Sequence, residues 1–561
     1  MSDDLLLSLL WIVPLGGAAG VLLIPDRRPD AIRRFALGTT VLTLLLSLAA
    51  FARYTAGGFG SKPLAERAFG AILDAKGEAY QAALVVRHTW IPYFDIQYYL
   101  GLDGINLALV LLSAFVGVLA CLASWNIDRK IKAYFGLYLL LLSSMMGVFL
   151  ALDLVLFYVF FELMLLPMYF LIAIWGGDRR EYAAMKFLLY TLFGSVFILV
   201  GFLALYFWSG DATGVTVGGK PFDAHTFDMV RLARAASETA YYGRWIQGWI
   251  FLLLFLGFSV KLPSIPFHTW LPDAHVQAPT PISMILAGVL LKVGGYGFLR
   301  LAWPLAPAGA HDWAWVVAVL GTASILYGAL AAMAQDDFKK LVAYSSVSHM
   351  GYVTLGMAAM NLAGDPRYYA YGLNGALFMM VAHGITSTAM FFLVGVIYER
   401  THTRDLRAIG GGLVGPMPIG AAVSAVIFFG SMGLPGLCGF VAEVFVILAA
   451  FRFSPLLGAL AAAAVVLTAG YILWTIQRVF LGRREGEGGP IADLRPVELI
   501  IAVPLVVLTI WLGVIPGALL SWAGPSVDRV ARDIVSAKSH PVPAPTAVAR
   551  EAAEPTPRPL R

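Results

Sequence analysis

Four charged residues and two histidines stand alone in stretches that are otherwise apolar. Glu162 is the single charge between Asp153 and Asp178, in the run that ends Glu162-Leu-Met-Leu-Leu-Pro167. Lys261 opens Lys261-Leu-Pro263-Ser-Ile-Pro266, where two prolines interrupt a long apolar run. Carbonyls freed by such a break can hold an ammonium. Lys292 lies in Lys292-Val-Gly294-Gly295-Tyr296-Gly297, among glycines that let helices approach closely. Glu443 follows a second interruption, Gly433-Leu-Pro435-Gly436-Leu-Cys-Gly439, and is the single charge from Pro416 to Ala450. His349 is preceded by Ser345, Ser346 and Ser348, and His383 is followed by Thr386 and Ser387. A charge at mid-bilayer costs at least about 2.5–3.5 kcal/mol on insertion scales, so each must face protein or water and find a partner. Buried lysine can give up its proton under physiological driving forces, and histidine titrates near neutral pH. Two Glu, two Lys and two His, each on its own apolar stretch, make a poor metal constellation and a good proton-hopping chain. The blander reading of each is a structural partner for a neighbouring helix.

Other motifs point to less. Gly410-Gly-Gly412-Leu-Val-Gly415 has no strand before it and reads as a flexible loop rather than a phosphate cradle. No GxSxG elbow accompanies the serines near His349 and their helix is in the membrane, which disfavours nucleophilic catalysis. His268, Asp273 and His275 read as capping and loop hydrogen bonding at the end of a broken helix, ahead of metal binding. Cys121 and Cys438 are far apart, which disfavours iron–sulfur ligation, structural zinc and a disulfide framework.

These residues need a membrane to position them. The chain has 561 residues and is 59% hydrophobic, with 39 Lys/Arg and 34 Asp/Glu, too few charges to cover a soluble surface of that size. About fourteen apolar stretches are long enough to cross the ~30 Å hydrocarbon layer as helices. They fall near 5–24, 32–52, 101–124, 133–151, 153–175, 182–207, 246–275, 280–301, 312–333, 339–360, 371–398, 416–450, 455–481 and 497–520. The fold class is all-α polytopic. The acidic Met1-Ser2-Asp3-Asp4 start is unlike a cleaved signal peptide, so the first span is retained. Short connections on one side hold nineteen basic residues, Arg27 to Arg495, against Arg300, Arg367 and Arg452 on the other. The positive-inside rule therefore puts both termini outside. Two long outer loops, 53–100 and 208–245, read as partly ordered covers, and the Pro-rich tail from Ser536 as disordered.

The two interruptions suggest a duplication. Lys261 and Glu443 are 182 residues apart, and Glu162 and His349, each two spans earlier, are 187 apart. Two five-span units follow, and because five is odd the second inserts inverted. The organisation is 1–129, three spans and an outer loop; 130–301 and 302–481, the two inverted repeats; 482–535, the last span; and 536–561, the tail. The position 182 after Lys292 is Trp474, so the second unit lacks that lysine.

From Lys261 through Pro263, Pro266, His268, Pro272, Asp273 and His275 to Ser283, the chain resembles the signature of the antiporter-like proton-translocating subunits of respiratory complex I and their relatives. The resemblance continues through Lys292 to Gly297, Gln335 to His349 and His383-Gly384, and covers nearly the whole chain outside the tail. Glu443, where other branches carry Lys, and the connection Tyr398 to Arg404 resemble the M-type branch, called chain 4 in mitochondria. The resemblance implies a proton pump without a redox centre of its own. Glu162 and Lys261 would be a coupled pair, Lys292 the central relay, His349 and His383 the link, and Glu443 the exit group. It implies no cofactor in this chain, with FMN, iron–sulfur clusters and quinone in other subunits. The implied partners are other complex I subunits, especially the neighbouring L-type and N-type ones, and membrane lipids, with no nucleic acid. The implied location is a bacterial inner membrane. A subunit of a multisubunit Na+/H+ antiporter or of a membrane-bound hydrogenase, built on the same module, stays open.

Overall fold

The computed structural model describes residues 2–56, 84–210, 216–217, 220–221, 225–238, 243–359, 366–482 and 491–537. Helix occupies every one of the fourteen apolar stretches. The first six spans are α1 (Asp3–Leu23), α2 (Pro29–Tyr54), α3 (Gly104–Ala123), α4 (Ile131–Leu150), α5 (Leu154–Trp175) and α6 (Arg180–Gly210). After the short α7 (Met229–Glu238), the seventh span is split into α8 (Gly243–Lys261) and α9 (Trp270–Gln277). Next come α10 (Thr280–Leu305), α11 (Pro307–Met333), α12 (Phe338–Ala358) and α13 (Pro366–Thr401). The twelfth span is split into α14 (Pro418–Ser431) and α15 (Cys438–Phe453), followed by α16 (Pro455–Val479) and α17 (Pro496–Val514). Among the described residues, twelve helices are long and apolar enough to cross a membrane by length and composition. The remaining two spans are α12, diluted by Lys339, Lys340, three serines and His349, and the span whose halves α14 and α15 are each too short.

The chain starts its helices with the residues that suit that task. Ser2 caps α1, and Asp337 caps α12 through Lys340 N (2.9 Å). Asp103 caps α3 by accepting from Ile105 N (2.9 Å) and Asn106 N (3.2 Å), while Asn106 accepts from Asp103 N (2.7 Å). That reciprocal cap starts the third span at Gly104 rather than 101. The residues before it form a hairpin, β1 (Leu84–Ile91) and β2 (Ile96–Leu102), paired antiparallel from Leu84↔Leu102 to Ile91↔Ile96. The sequence reading of 53–100 as a loop thus gives way, in its described part, to a strand pair. Its buried side, including Leu84, Val86, Leu100 and Leu102, lies against the bundle, and Tyr98 Oη donates to Ser8 Oγ (2.9 Å) on α1. The last span also ends early, at Val514, because Pro516 disfavours helix at the residue before it. A further helix, α18 (Gly517–Ala537), turns Trp522, Ala523, Val527 and Ala531 against α3, α7 and α13. The Pro-rich segment 538–561 and parts of the two long loops lie outside the described residues.

Two helices are central. The apolar stretches of α10 and α13 are wholly buried, whereas α1, α2, α6, α16 and α17 bury only 33–39% of theirs, as helices on the outside of the bundle do. Around this pair the helices approach closely on small residues. A Cβ at Gly328 of α11 would lie 2.5 Å from Ser348 N on α12, and one at Gly351 would lie 2.7 Å from Ile325 N. Arg300, counted in the sequence as a loop residue, is buried in α10. It pairs with Asp103 (2.7 Å) and donates to Tyr296 Oη (3.2 Å), whose hydroxyl donates to Phe149 O (3.0 Å). With its charge compensated there, Arg300 no longer counts in the loop tally that the positive-inside rule uses.

On the hairpin side, Asp153 caps α5 through Val155 N (2.9 Å) and Leu156 N (3.1 Å) and also accepts from Gln97 N (3.1 Å). Burial nevertheless pushes its carboxyl up to about 7, against hydrogen bonds that lower it and a neighbouring Asp228 that raises it further. The folded protein thus holds this proton up to about pH 7, whereas the unfolded chain releases it near ~4. Between those values the folded state binds more protons, so stability falls as pH rises through that window. The Asp153→Asn variant is expected to show a shallower decline in thermal stability from pH 5 to 7.5 in detergent. An unchanged slope would remove Asp153 from the explanation.

Candidate functional site

Glu162 sits one turn before Pro167, which has no N–H to offer Leu163 O, and the ladder of α5 is interrupted at Met164. Its Oε1 is buried without a hydrogen-bond partner. Lys261 is the last residue of α8, 2% exposed, and its Nζ also has no hydrogen-bond partner. The ammonium stands over the rings of Phe161 (5.1 Å) and Phe187 (5.6 Å). Glu162 acts on it through its charge and makes no direct ion pair with it. The break beyond Lys261 is firmly built. Ser264 N reaches back to Ser259 O (3.0 Å), Trp270 Nε1 takes Val260 O (2.8 Å), and Ile265 N donates to Ser324 Oγ on α11 (3.0 Å).

Lys292 is fully buried on α10 between two widened, π-helical turns, Leu286–Leu290 and Phe298–Ala302. A π turn shifts the hydrogen-bond register by one residue and releases a carbonyl, a device found often at functional sites. Lys292 Nζ donates to Ala287 O in that turn (2.5 Å), and Thr388 Oγ1 of α13 donates to Met284 O (3.3 Å). The same ammonium meets His383 Nδ1 at 2.8 Å. With Lys292 as the ammonium, His383 accepts at Nδ1 and, when neutral, carries its proton at Nε2, an atom buried without a partner.

The His383 ring centroid lies 5.4 Å from that of His349. His349 Nδ1 faces Ser345 O (2.7 Å) and its Nε2 faces Ser431 O (2.9 Å). Both acceptors are carbonyls, so the two hydrogen bonds exist together only in the doubly protonated ring. The serine hydroxyls are turned away from it: Ser345 and Ser346 donate to Val342 O, and Ser348 donates to Ile325 O. What touches the imidazole is backbone.

Ser431 ends α14, so His349 reaches the second break directly. In that break Gly433 (φ +79°) and Gly436 (φ +89°) are left-handed, a conformation that glycine adopts without strain. Glu443 is 2% exposed, its Oε1 has no hydrogen-bond partner, and its Oε2 would lie 2.1 Å from a Cβ at Gly433. The Tyr471 hydroxyl, buried and unpartnered on α16, is within reach of the Glu443 charge. Trp474, one turn on, is 46% exposed with Arg478 stacked 3.9 Å over it, so the tryptophan in place of the second lysine faces outward.

The structure therefore brings Lys292, His383 and His349 into one contact series and ties it to the break before Glu443. It leaves Glu162 and Lys261 as a separate couple, with Glu162 Oε1 and Lys261 Nζ outside any hydrogen bond. Sequence reasoning missed Ser431, Ala287, Tyr471 and Thr388. Three of these act through backbone atoms or lone hydroxyls that no motif marks, and the π turns have no composition of their own. The capping role for His268 and His275 is overturned, because all four ring nitrogens are buried without partners. His275 stacks on Phe391 (4.2 Å), and only Asp273 is engaged, with Lys186 (2.7 Å). Lys339, also buried, donates to Ala278 O (2.5 Å) just beyond α9. The Gly410–Gly412 loop is not loose either: Gly412, Leu413 and Val414 N–H groups pair with Leu481, Val479 and Phe480 carbonyls. No cluster of three metal-ligating side chains occurs among the described residues.

Residues 151–468 match the family model described as NADH:quinone oxidoreductase/Mrp antiporter, TM. The chain is 40% identical over 539 residues to NADH-quinone oxidoreductase subunit M of Rhodobacter capsulatus, covering 94% of this chain and 96% of the relative. It is 41% identical over 514 residues to an NAD(P)H-quinone oxidoreductase chain 4 of Synechococcus elongatus, covering 90% and 87%. Among solved structures, a chain of respiratory complex I from Thermus thermophilus with bound NADH superposes with a TM-score of 0.75 at 30% identity, covering 94% of this chain and 99% of that one.

Gly433→Ala is expected to impair the site by overlap with Glu443 as well as by backbone strain of about 1–3 kcal/mol. The Gly433→Ala/Glu443→Ala double variant should recover the part of the lost thermal stability that overlap causes. A double variant no more stable than Gly433→Ala would show that the strain alone is responsible.

Proposed function

The chain belongs to the NADH:quinone oxidoreductase/Mrp antiporter transmembrane family, alongside subunit M and chain 4 relatives, and on that premise we propose that it is a proton-translocating membrane-arm subunit of an NADH:quinone oxidoreductase. It takes part in the enzyme as a translocase subunit and carries no redox centre of its own; FMN, iron–sulfur clusters and quinone belong to other subunits. The observation that carries the reading is the contact series Lys292–His383–His349–Ser431, buried in the centre of the bundle and ending at the second break. Such a series passes a proton between helices without passing it to lipid.

The roles follow from the contacts. Glu162 and Lys261 form the first couple, with the ammonium held by aromatic faces and by the Glu162 charge. Weakening that attraction releases the Lys261 proton toward Lys292. Lys292 hands it to His383 at Nδ1, which already touches the ammonium. His349, doubly protonated in its two carbonyl contacts, gives a proton up across the break to Glu443, with the Tyr471 hydroxyl beside it, and the freed ring nitrogen then takes a proton from His383. The basic connections lie on the cytoplasmic side of a bacterial inner membrane, with the hairpin and both termini outside. The partners are other subunits of the complex, with the L-type and N-type antiporter-like subunits as flanking neighbours, and membrane lipids.

Mild purification of the tagged chain from its native membrane is expected to bring down flavin, iron–sulfur absorbance and NADH oxidation. Membrane subunits alone, under conditions that preserve a known complex, would favour a cation/proton antiporter subunit. In the assembled complex, Lys261→Ala should abolish coupled proton translocation in vesicles, with assembly unchanged by subunit mass spectrometry. Wild-type pumping in that variant would sink the role given to Lys261.

A further inference from the structure

Away from the buried series, a groove of about 660 Å³ opens on the bundle surface between the first turns of α8 and α11. Arg244 and Asp312 close its polar end. Arg244 Nε lies 2.8 Å from Asp312 Oδ2 and 3.0 Å from Oδ1, and Nη2 also donates to Oδ1. Trp245, Trp249, Trp313 and Val316 line the rest. Trp245 is 74% and Trp249 52% exposed, with ring centroids 6.1 Å apart. Both polar residues sit where an apolar span begins, on the side of the hairpin, which is the depth at which tryptophan gathers in membrane proteins.

We infer that this groove holds a zwitterionic phospholipid, its phosphate on Arg244, its ammonium between Asp312 and the tryptophan faces, and an acyl chain along Trp249 and Val316. The charge balance decides the class. Arg244 uses its Nε and one Nη2 proton on Asp312, which leaves three N–H donors for a phosphate. Asp312 is a full negative charge at the same spot, with His311 Nδ1 3.6 Å from its Oδ1, so the site carries no excess positive charge while that imidazole is neutral, and it then disfavours a purely anionic headgroup. An ammonium finds both a carboxylate and aromatic faces there. Below the pair the surface is apolar and outward-facing: Val316 and Val319 on α11 are each nearly half exposed, which suits an acyl chain rather than water.

The test uses the intact complex, purified in mild detergent, with bound lipids extracted and counted by mass spectrometry. Wild type is expected to retain one more phosphatidylethanolamine per complex than Arg244→Ala/Asp312→Ala, a variant of unchanged net charge. Trp249→Ala, which keeps the ion pair and guards against a folding defect, should lose the same lipid. After delipidation, phosphatidylethanolamine vesicles should raise the thermal stability of wild type and not of either variant, while phosphatidylglycerol vesicles should not discriminate. NADH oxidation should stay at wild-type level in both variants, since neither touches the buried series. Equal lipid counts in all three proteins would overturn the inference. So would retention of an anionic lipid in its place, or protection of Trp245 and Trp249 by a neighbouring subunit in crosslinking.

Discussion

A charge inside a helical membrane protein needs a partner or a polar break beside it, and in this structure the helices that carry Lys261, Lys292 and Glu443 are interrupted in two ways. At Lys261 and before Glu443 the helix is cut by proline and glycine. At Lys292 it is widened by one residue, and the released carbonyl of Ala287 faces the ammonium. Only at Lys292 does a backbone group meet the charge directly; Lys261 Nζ and Glu443 Oε1 are left without a hydrogen bond, and aromatic faces and the Glu162 charge hold the Lys261 ammonium instead.

The same devices connect the charges to one another. His349 is bound by its own helix at Ser345 and by the end of α14 at Ser431, so the second break is both a support for the imidazole and a neighbour of Glu443. Lys292 shares a contact with His383 while holding to its own widened turn. The protonation states of Lys292 and His349 thus decide which backbone carbonyls are satisfied in two helices. Glu162 and Lys261 make no hydrogen bond to the series; Glu162 acts on Lys261 through its charge, and the Phe161 ring centroid lies 5.1 Å from the Lys261 ammonium.

Much of this was legible in the amino-acid order. Apolar length placed the spans, Pro263, Pro266, Pro435 and Gly436 placed both breaks, and isolation in apolar runs singled out the six ionisable side chains. Where the reading failed, the deciding interaction was not local. The third span begins at Gly104 because Asp103 and Asn106 cap each other, and the residues before it pair as strands. Arg300 is buried because Asp103, far away in the chain, receives it. His268 and His275 looked like caps because they sit near a helix end, yet packing sealed their ring nitrogens away from every backbone donor and acceptor.

Composition and spacing by themselves determined that this is a polytopic helical membrane protein with two interrupted spans and a set of intramembrane titratable groups. Those properties follow from hydrophobic length and from proline and glycine chemistry, which act within one segment. Which of those groups touch was decided only by the tertiary structure. The contact of Lys292 with His383 and the hold of Ser431 on His349 join residues on different helices, and the room that Gly433 leaves for Glu443 joins the break to the helix after it. Their geometry depends on how helices cross and how closely small residues let them approach, and a linear pattern does not encode those distances.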